Sequence, residues 1–410
     1  LAFCPAVRRL AVLSLHTSPL AQPGTGDGGG MNVYVRELSS ALARAGVECD
    51  VYTRADRPDL HDVVRVEPGF RVHHVESGPR APVDRSVLPS LVDGFTTGVL
   101  DRLRDTPADA LHANYWLSGV AGHAIKHELG LPLVSTFHTL ARVKADAGDF
   151  EPEERVRAEH DTMACSDAVL ASCSVEAAQL RHLYGVDPAR IEIVAPAVDH
   201  AFFAPGNRAQ ARRAINLPLE PQILLFVGRI QALKGLDVAI AAFAQLRRPD
   251  AVLVVVGGPS GPGGEAEHER VEKLAVDLGV ADRIIWRPPQ PHELLSTYYR
   301  ASNVVLVPSR SESFGLVALE ASACGTPVVA AAVGGLRTLV EHGLTGFLVE
   351  GRNPAAFAAF AGEVISNRPL AEEMGRNAAR QAMRYQWSIS AARLRRLYSD
   401  LTARTLTQCR

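Results

Sequence analysis

The sequence predicts an α/β protein built from two open, mostly parallel sheets with helices on both faces. Three observations carry this. Short β-branched or Leu-rich runs alternate with helical patterns along the whole chain, and the alternation breaks once, at residues 195–207. The 410 residues, 47% hydrophobic and 21% charged, suffice for two independent cores.

In the first half the strand runs fall at residues 10–15, 47–53, 110–112, 133–136, 168–171 and 191–194. In the second they fall at 223–227, 251–256, 284–286, 304–307 and 328–331. Runs this short and this apolar predict strands buried on both faces, as in a parallel sheet. Arg8 and Arg9 before an apolar run of six imitate an export signal, but the run is short and no small-residue cleavage site follows, so it reads as the first strand. The next helix places Met31, Tyr34, Val35, Leu38, Ala41, Leu42 and Ala45 on one face. Residues 195–207 (APAVDHAFFAPGN) keep neither period and predict an interdomain linker. A last amphipathic helix over 385–406 carries Trp387, Ile389, Leu394, Leu397 and Leu401. The expected division is 1–204, completed by the helix 385–406, and 205–384: two Rossmann-like domains facing a central cleft. Open α/β sheets bind ligands outside the carboxyl ends of their strands, so the strand-to-helix loops are where chemistry belongs.

Composition narrows the classes. With 43 Lys plus Arg against 45 Asp plus Glu, the net charge of −2 leaves no electrostatic footprint for nucleic acid. No apolar run approaches the roughly 18 residues of a membrane span. Cys4, Cys49, Cys165, Cys173, Cys324 and Cys409 form no C-x-x-C pair, which argues against a zinc site and a disulfide framework and points to a reducing cytoplasm.

Three loops carry chemistry. The first, residues 16–32 (HTSPLAQPGTGDGGGMN), sets Gly28, Gly29 and Gly30 before a helix, where backbone N–H groups and the helix dipole suit a phosphate or sugar. Gly24, Gly26 and Gly29 also satisfy G-x-G-x-x-G, but the match starts nine residues after Leu15, and the acidic residue expected about 20 positions on is at best Asp50, which falls inside the second strand and not at its end. An oxidoreductase therefore ranks below a sugar-nucleotide enzyme. The second loop, residues 228–235 (GRIQALKG), carries Arg229 and Lys234, two cations able to neutralise one diphosphate and its leaving-group charge. Solvated surface charge is the bland alternative. The third, residues 308–327 (PSRSESFGLVALEASACGTP), opens a helix at Phe314, Gly315 and Leu316 between Glu312 and Glu320. The helix entrance suits a phosphate, Glu312 suits sugar hydroxyls and Glu320 suits a ribose. Capping for Glu312 and an exposed helix face for Glu320 are the structural alternatives.

These loops, with NYWLSG from Asn114, HTL-x-RVKAD from His138 and VVGGPSG from Val255, resemble the retaining GT-B glycosyltransferases of group 1 (family 4), which include sucrose-phosphate synthase and glycogen-synthase-like enzymes. The resemblance spans Arg8 to Leu401. It is closest to the branch that moves N-acetylglucosamine from UDP-N-acetylglucosamine to 1D-myo-inositol 3-phosphate in mycothiol biosynthesis. It implies donor contacts from Gln22, Pro23, Gly30, Arg229, Lys234, Gln290, Glu312, Phe314, Gly315, Leu316, Glu320 and Thr326. It implies acceptor contacts from His16, Asn32, Arg85, Tyr115, Thr139 and Arg155, and a catalytic set of His138, Arg229, Lys234 and Glu312. It also implies a magnesium ion at the backbone of Tyr299, Arg300 and Ser302, read as structural, with no cofactor required for the chemistry, and it is compatible with a homodimer. Arg85 stands where a lysine is usual, Gly28 where a serine is, and Ala197 where the interdomain turn usually has Pro-Gly.

Taken singly, each histidine serves equally well as a structural group. Taken together, the acceptor set offers cations and hydroxyls with no carboxylate, which suits a phosphate. Another acceptor, such as a sugar phosphate or a secondary metabolite, remains an alternative. So do a nucleotide-sugar epimerase and a non-catalytic ligand-binding protein.

Overall fold

The computed structural model describes residues 7–24, 26, 28–148, 150–261 and 263–408. It divides into two compact units: 1–21, 31–195 and 387–410 form the first, and 22–30 with 196–386 form the second. Relative to the expected division, residues 196–204 and the glycine-rich stretch 22–30 pack with the second unit. Among the described residues no helix is long and apolar enough to cross a membrane.

The first unit carries β1 (Arg9–Leu13), β2 (Glu48–Arg54), β3 (Val63–Glu67), β4 (Phe70–Val75), β5 (Ala110–Asn114), β6 (Leu133–Thr136), β7 (Ala168–Ala171) and β8 (Ile191–Ile193). Their order is β3-β4-β2-β1-β5-β6-β7-β8, and only the β3–β4 pair is antiparallel. Leu13 pairs with Tyr52 on one side and Ala113 on the other, so the chain order reverses at β1. The loops after β1 and β5 leave the sheet at that switch point, where open α/β sheets form their crevice.

The second unit carries β9 (Gln222–Val227), β10 (Ala251–Val256), β11 (Ile284–Arg287), β12 (Val304–Val307), β13 (Val328–Ala331) and β14 (Gly346–Val349). The order is β11-β10-β9-β12-β13-β14, parallel throughout. Numbered within the unit this is 3-2-1-4-5-6, the full doubly wound order, with its switch point between β9 and β12. The Arg229/Lys234 loop follows β9 and the Glu312 loop follows β12.

Three strands escape the sequence reading. β3 and β4 form a hairpin across Pro68 and Gly69, and β14 is a four-residue edge strand beginning at Gly346. Between β8 and the helix Arg208–Ala214 no helix or strand forms, as the broken period predicts. The last helix runs Trp387–Thr402 and buries Trp387, Ser390, Ala391, Leu394, Tyr398 and Leu401, whereas Ile389 is exposed. Trp387, Leu394 and Leu401 thus face inward as expected, and they are joined by Tyr398. That hydroxyl lies 2.8 Å from His112 Nδ1, and His112 Nε2 lies 2.8 Å from Thr136 Oγ1, tying the helix to β5 and β6.

Asp50 sits within β2, buried, and accepts from Arg9 Nη1 (3.0 Å), Arg71 Nε (2.7 Å) and His73 Nε2 (2.7 Å). Burial alone would raise its pKa, but the hydrogen bonds from His73 and Arg71 hold it well below the usual carboxylate range. It is a structural ion, and the dinucleotide reading loses its ribose ligand. Cys49, Cys173 and Cys324 are free and buried, whereas Cys165 is disulfide-bonded, against the expectation from sequence; Cys4 and Cys409 lie outside the described residues. Spacing along a chain does not report which thiols the fold brings together.

Tyr398→Phe should cost about 1–3 kcal/mol, read from the urea midpoint, because His112 Nδ1 is left buried without its hydroxyl partner. Burial holds the His112 pKa at about 3. The unfolded chain protonates below about pH 6.5 while the folded chain does not, so stability is lost as pH falls from 6.5 toward 3, by about 2 kcal/mol at pH 5. Urea titrations at pH 7 and 5 should show that loss, and in His112→Gln it should be smaller by about 2 kcal/mol.

Candidate active site

In the second unit the predicted donor residues gather at the β9/β12 switch point. Lys234 is ion-paired with Glu312, and Ser309 Oγ donates to the same Glu312 oxygen at 3.1 Å. Both side chains are largely buried, so Lys234 is not solvated surface charge. Neither does Glu312 cap the following helix: Leu316–Ala323 starts from Gly315 with no side-chain cap, leaving its N-terminal turn facing the same loop. The Glu312 loop is pressed from behind by the loop after β13, where Gly335 N–H donates to Glu312 O at 3.0 Å. Gly334 has φ +46°, and a Cβ there would lie 1.8 Å from Glu312 O, so only glycine lets the two backbones meet.

The glycine-rich stretch 22–30 lies along this group. Gln22 Nε2 donates to Pro289 O at 3.1 Å, Gly24 packs on Pro289, and Ser260 Oγ donates to Gly26 O. A Cβ on Gly29 would lie 3.5 Å from Arg229 Nε, and one on Gly30 would lie 3.3 Å from Leu316 Cδ1. The half-buried Arg229 and the entrance of the helix Leu316–Ala323 therefore share one wall with the glycines. Pro23 belongs to the same stretch, and Gln290 sits beside Pro289 at the end of β11, with Nε2 donating to Pro288 O at 2.8 Å. Phe314 is buried with its ring edge against Tyr385, centroids 5.7 Å apart.

Glu320 is not on an exposed face. It is 4% exposed, with Oε1 2.7 Å from His292 Nε2 and Oε2 accepting from Tyr299 Oη at 2.7 Å. Each oxygen holds one donor and keeps a second acceptor position. In the sequence His292 went unnoticed and Tyr299 was named only for its backbone, because both lie in another helix, His292–Ala301.

Thr326 is buried, its hydroxyl donating to Tyr299 O at 2.8 Å. That carbonyl also accepts from Ser302 N–H at 3.1 Å, and Ser302 O accepts from Arg208 Nε at 3.1 Å. Arg300 holds the linker, with Nη1 2.9 Å from Phe202 O. The Tyr299 and Ser302 backbone oxygens belong to the stretch Tyr299, Arg300 and Ser302 at which the resemblance implies a magnesium ion.

In the first unit His16, after β1, and Tyr115, after β5, meet at the switch point with ring centroids 4.9 Å apart. Asn32, buried, donates to Thr17 Oγ1 at 2.9 Å and fixes the β1 loop. Tyr115 (φ 73°) and His138 (φ 62°) both have positive φ. Thr139 N–H donates to Phe137 O at 2.7 Å across His138, a tight three-residue turn. Strain of about 1–3 kcal/mol at a non-glycine residue persists only where the surroundings enforce it. His138 Nε2 lies 2.9 Å from Asn114 Oδ1, its ring is 4.9 Å from that of Tyr34, and burial with nearby His112 lowers its pKa to about 3. With Asn114 Oδ1 as acceptor, the neutral ring carries its proton on Nε2.

Arg155 corrects the expectation of an acceptor set with no carboxylate. Its Nε donates to Glu159 Oε1 (2.8 Å), Nη1 to Glu151 Oε2 (2.7 Å), and Nη2 to Thr139 O (2.9 Å) and Oγ1 (3.0 Å). Lys144 is ion-paired with Glu151. Glu159, fully buried, also accepts from Ala141 N–H at 2.9 Å and from Tyr184 Oη. The Arg155 guanidinium lies 5.0 Å from the Tyr115 ring centroid. Two acids thus neutralise Arg155 and Lys144, while Arg155 also bonds Thr139 and lies against the Tyr115 ring. Glu151 and Glu159 stand four residues either side of Arg155, a helical spacing that the sequence displayed. Arg85 lies half-buried on the loop between β4 and the short helix Leu88–Leu91.

Residues 207–381 match the family described as glycosyl transferases group 1, and residues 29–197 match the glycosyl transferase 4-like domain. The D-inositol 3-phosphate glycosyltransferase of Acidothermus cellulolyticus is 46% identical over 98% of this chain and 92% of its own length. That of Geodermatophilus obscurus is 47% identical over 93% of this chain and 86% of its own. Among solved structures, sucrose-phosphate synthase from Thermosynechococcus elongatus superposes with TM-score 0.92 at 32% identity, covering 97% of this chain and 99% of that one. With two doubly wound units and both family regions in sequence, the chain belongs to the group 1 glycosyltransferases of GT-B fold.

Proposed function

We propose that the protein transfers N-acetylglucosamine from UDP-N-acetylglucosamine to 1D-myo-inositol 3-phosphate with retention of configuration, in a cytoplasmic setting. The observation that carries the donor half is the Lys234–Glu312 pair beside Arg229 and the uncapped start of the helix Leu316–Ala323. A cation already balanced by a carboxylate can trade that partner for a diphosphate, which frees Glu312 to accept hydrogen bonds from sugar hydroxyls. The acceptor half is supported by the names of the relatives above and by Tyr115, His138 and Thr139 on enforced loops.

In this reading Arg229, Lys234 and the helix entrance stabilise the charge that gathers on the departing UDP. The acceptor hydroxyl attacks the face that UDP leaves and passes its proton to the departing phosphate, so no side-chain nucleophile is required. His138, neutral at working pH, serves by hydrogen bonding and not as a titrating base. Arg155 holds Thr139 and Tyr115 toward the acceptor phosphate. The scheme assigns no role to a resident metal.

Lys234→Ala should lower kcat by about 10²–10³ while leaving the circular dichroism unchanged. Near-normal turnover would remove the clamp from the mechanism. Mass analysis of products from a panel of UDP-sugars and phosphorylated acceptors should show the inositol phosphate glycoside. UDP release independent of acceptor, with an isomerised sugar, would identify an epimerase instead. The kcat/KM profile should show no break near pH 6.5 that His138→Asn removes, because that imidazole is already neutral.

A further inference from the structure

The sequence holds no C-x-x-C pair, yet the first unit assembles a metal-type donor set. His123 and His127 lie one turn apart on the helix Trp116–Leu129, with ring centroids 4.9 Å and Nε2 atoms 3.1 Å apart. Cys165 ends the helix Glu153–Cys165, and its Sγ lies 3.7 Å from His127 Nε2. The three ligand atoms all lie within 4.8 Å of one another. Around a tetrahedral zinc ion with Zn–N near 2.0 Å and Zn–S near 2.3 Å, nitrogen pairs stand about 3.3 Å apart and nitrogen–sulfur pairs about 3.5 Å. Two of the observed separations lie within about 0.2 Å of those values.

The surroundings suit a cation. Cys165 is buried, His123 half-buried and His127 exposed, so the site has an inner anchor and an outer entrance. The neighbouring Lys126 ammonium is balanced by Asp167 at 2.8 Å while it donates to Cys165 O at 2.7 Å. Arg190 takes the carbonyls of Met163, Ala164 and Ser166. The helix end at Cys165 also favours positive charge. His123 and His127 lie about 12 and 18 Å along the helix axis from Tyr115. The cluster is thus remote from the candidate acceptor residues on its own helix.

We propose that the reduced chain binds one zinc ion through His123, His127 and Cys165. Because Cys165 is disulfide-bonded in this structure, metal and oxidation compete for the same sulfur. A dithiol or phosphine reductant supplies two electrons, two protons are taken up, and the disulfide becomes two thiols. The Cys165 thiol then gives its proton to solvent as sulfur bonds the metal. The fourth position is left to water. Bound in this way, zinc joins the far ends of the two helices whose beginnings carry Tyr115 and Arg155.

The test uses the full chain, reduced with a trialkylphosphine, stripped with a chelator and titrated without oxygen. One equivalent of cobalt(II) should give a thiolate charge-transfer band and tetrahedral visible bands, and zinc should displace it. Cys165→Ser should abolish the charge-transfer band. His127→Ala, an exposed position that leaves the fold intact by circular dichroism, should weaken zinc binding at least about 100-fold. Zinc binding no tighter than micromolar in the reduced chain, equal binding by the disulfide form, or undiminished binding by a His123→Ala/His127→Ala variant would each overturn the proposal.

Discussion

Carboxylates buried together with their donors hold the loops of this molecule in place. A charge removed from water is tolerated only when paired and hydrogen-bonded, so each buried acid dictates which segments must converge on it. Glu159 gathers Arg155, Ala141 and Tyr184, and through Arg155 it fixes Thr139. Glu320 gathers His292 and Tyr299 from a different helix. Asp167 gathers Lys126 and the Leu133 N–H that opens β6. The apolar sheets give each unit its core, and these ions decide how the connections lie on it.

This division explains what the sequence made legible. Buried parallel strands announce themselves as apolar runs, and eleven of the fourteen described strands follow that signal. The exceptions lack it: β3 and β4 mix Arg, Glu and His with valine around Pro68 and Gly69, and β14 is four residues beginning with glycine. The Arg229/Lys234 and Glu312 loops were readable because the doubly wound fold sets its ligands after particular strands, and the motifs fall after β9 and β12. The partners of those side chains were not readable. Pairing of Lys234 with Glu312, 78 residues away, is a property of the folded sheet, and so is the union of His292 with Glu320.

The candidate acceptor side shows the same limit from another angle. Listing Arg155 with Tyr115 and Thr139 was enough to foresee that they belong together, and the structure joins all three. It did not foresee that Arg155 would be balanced by Glu151 and Glu159, because that required weighing the helix neighbours of a cation and not the cation alone. Charge inventories drawn from motif residues overstate the field of a site whenever neighbouring turns supply the opposite sign.

The first unit draws on segments both before and after residues 196–386, which with 22–30 belong to the second. During translation, β5 and its buried His112 leave the ribosome long before Tyr398, 286 residues later in the chain, is made. Until then the ledge that the Trp387–Thr402 helix covers stays open to water and to chaperones, while the second unit can already complete its own sheet. Premature termination just before the Trp387–Thr402 helix would therefore spare the unit synthesised later and cripple the one that was started first.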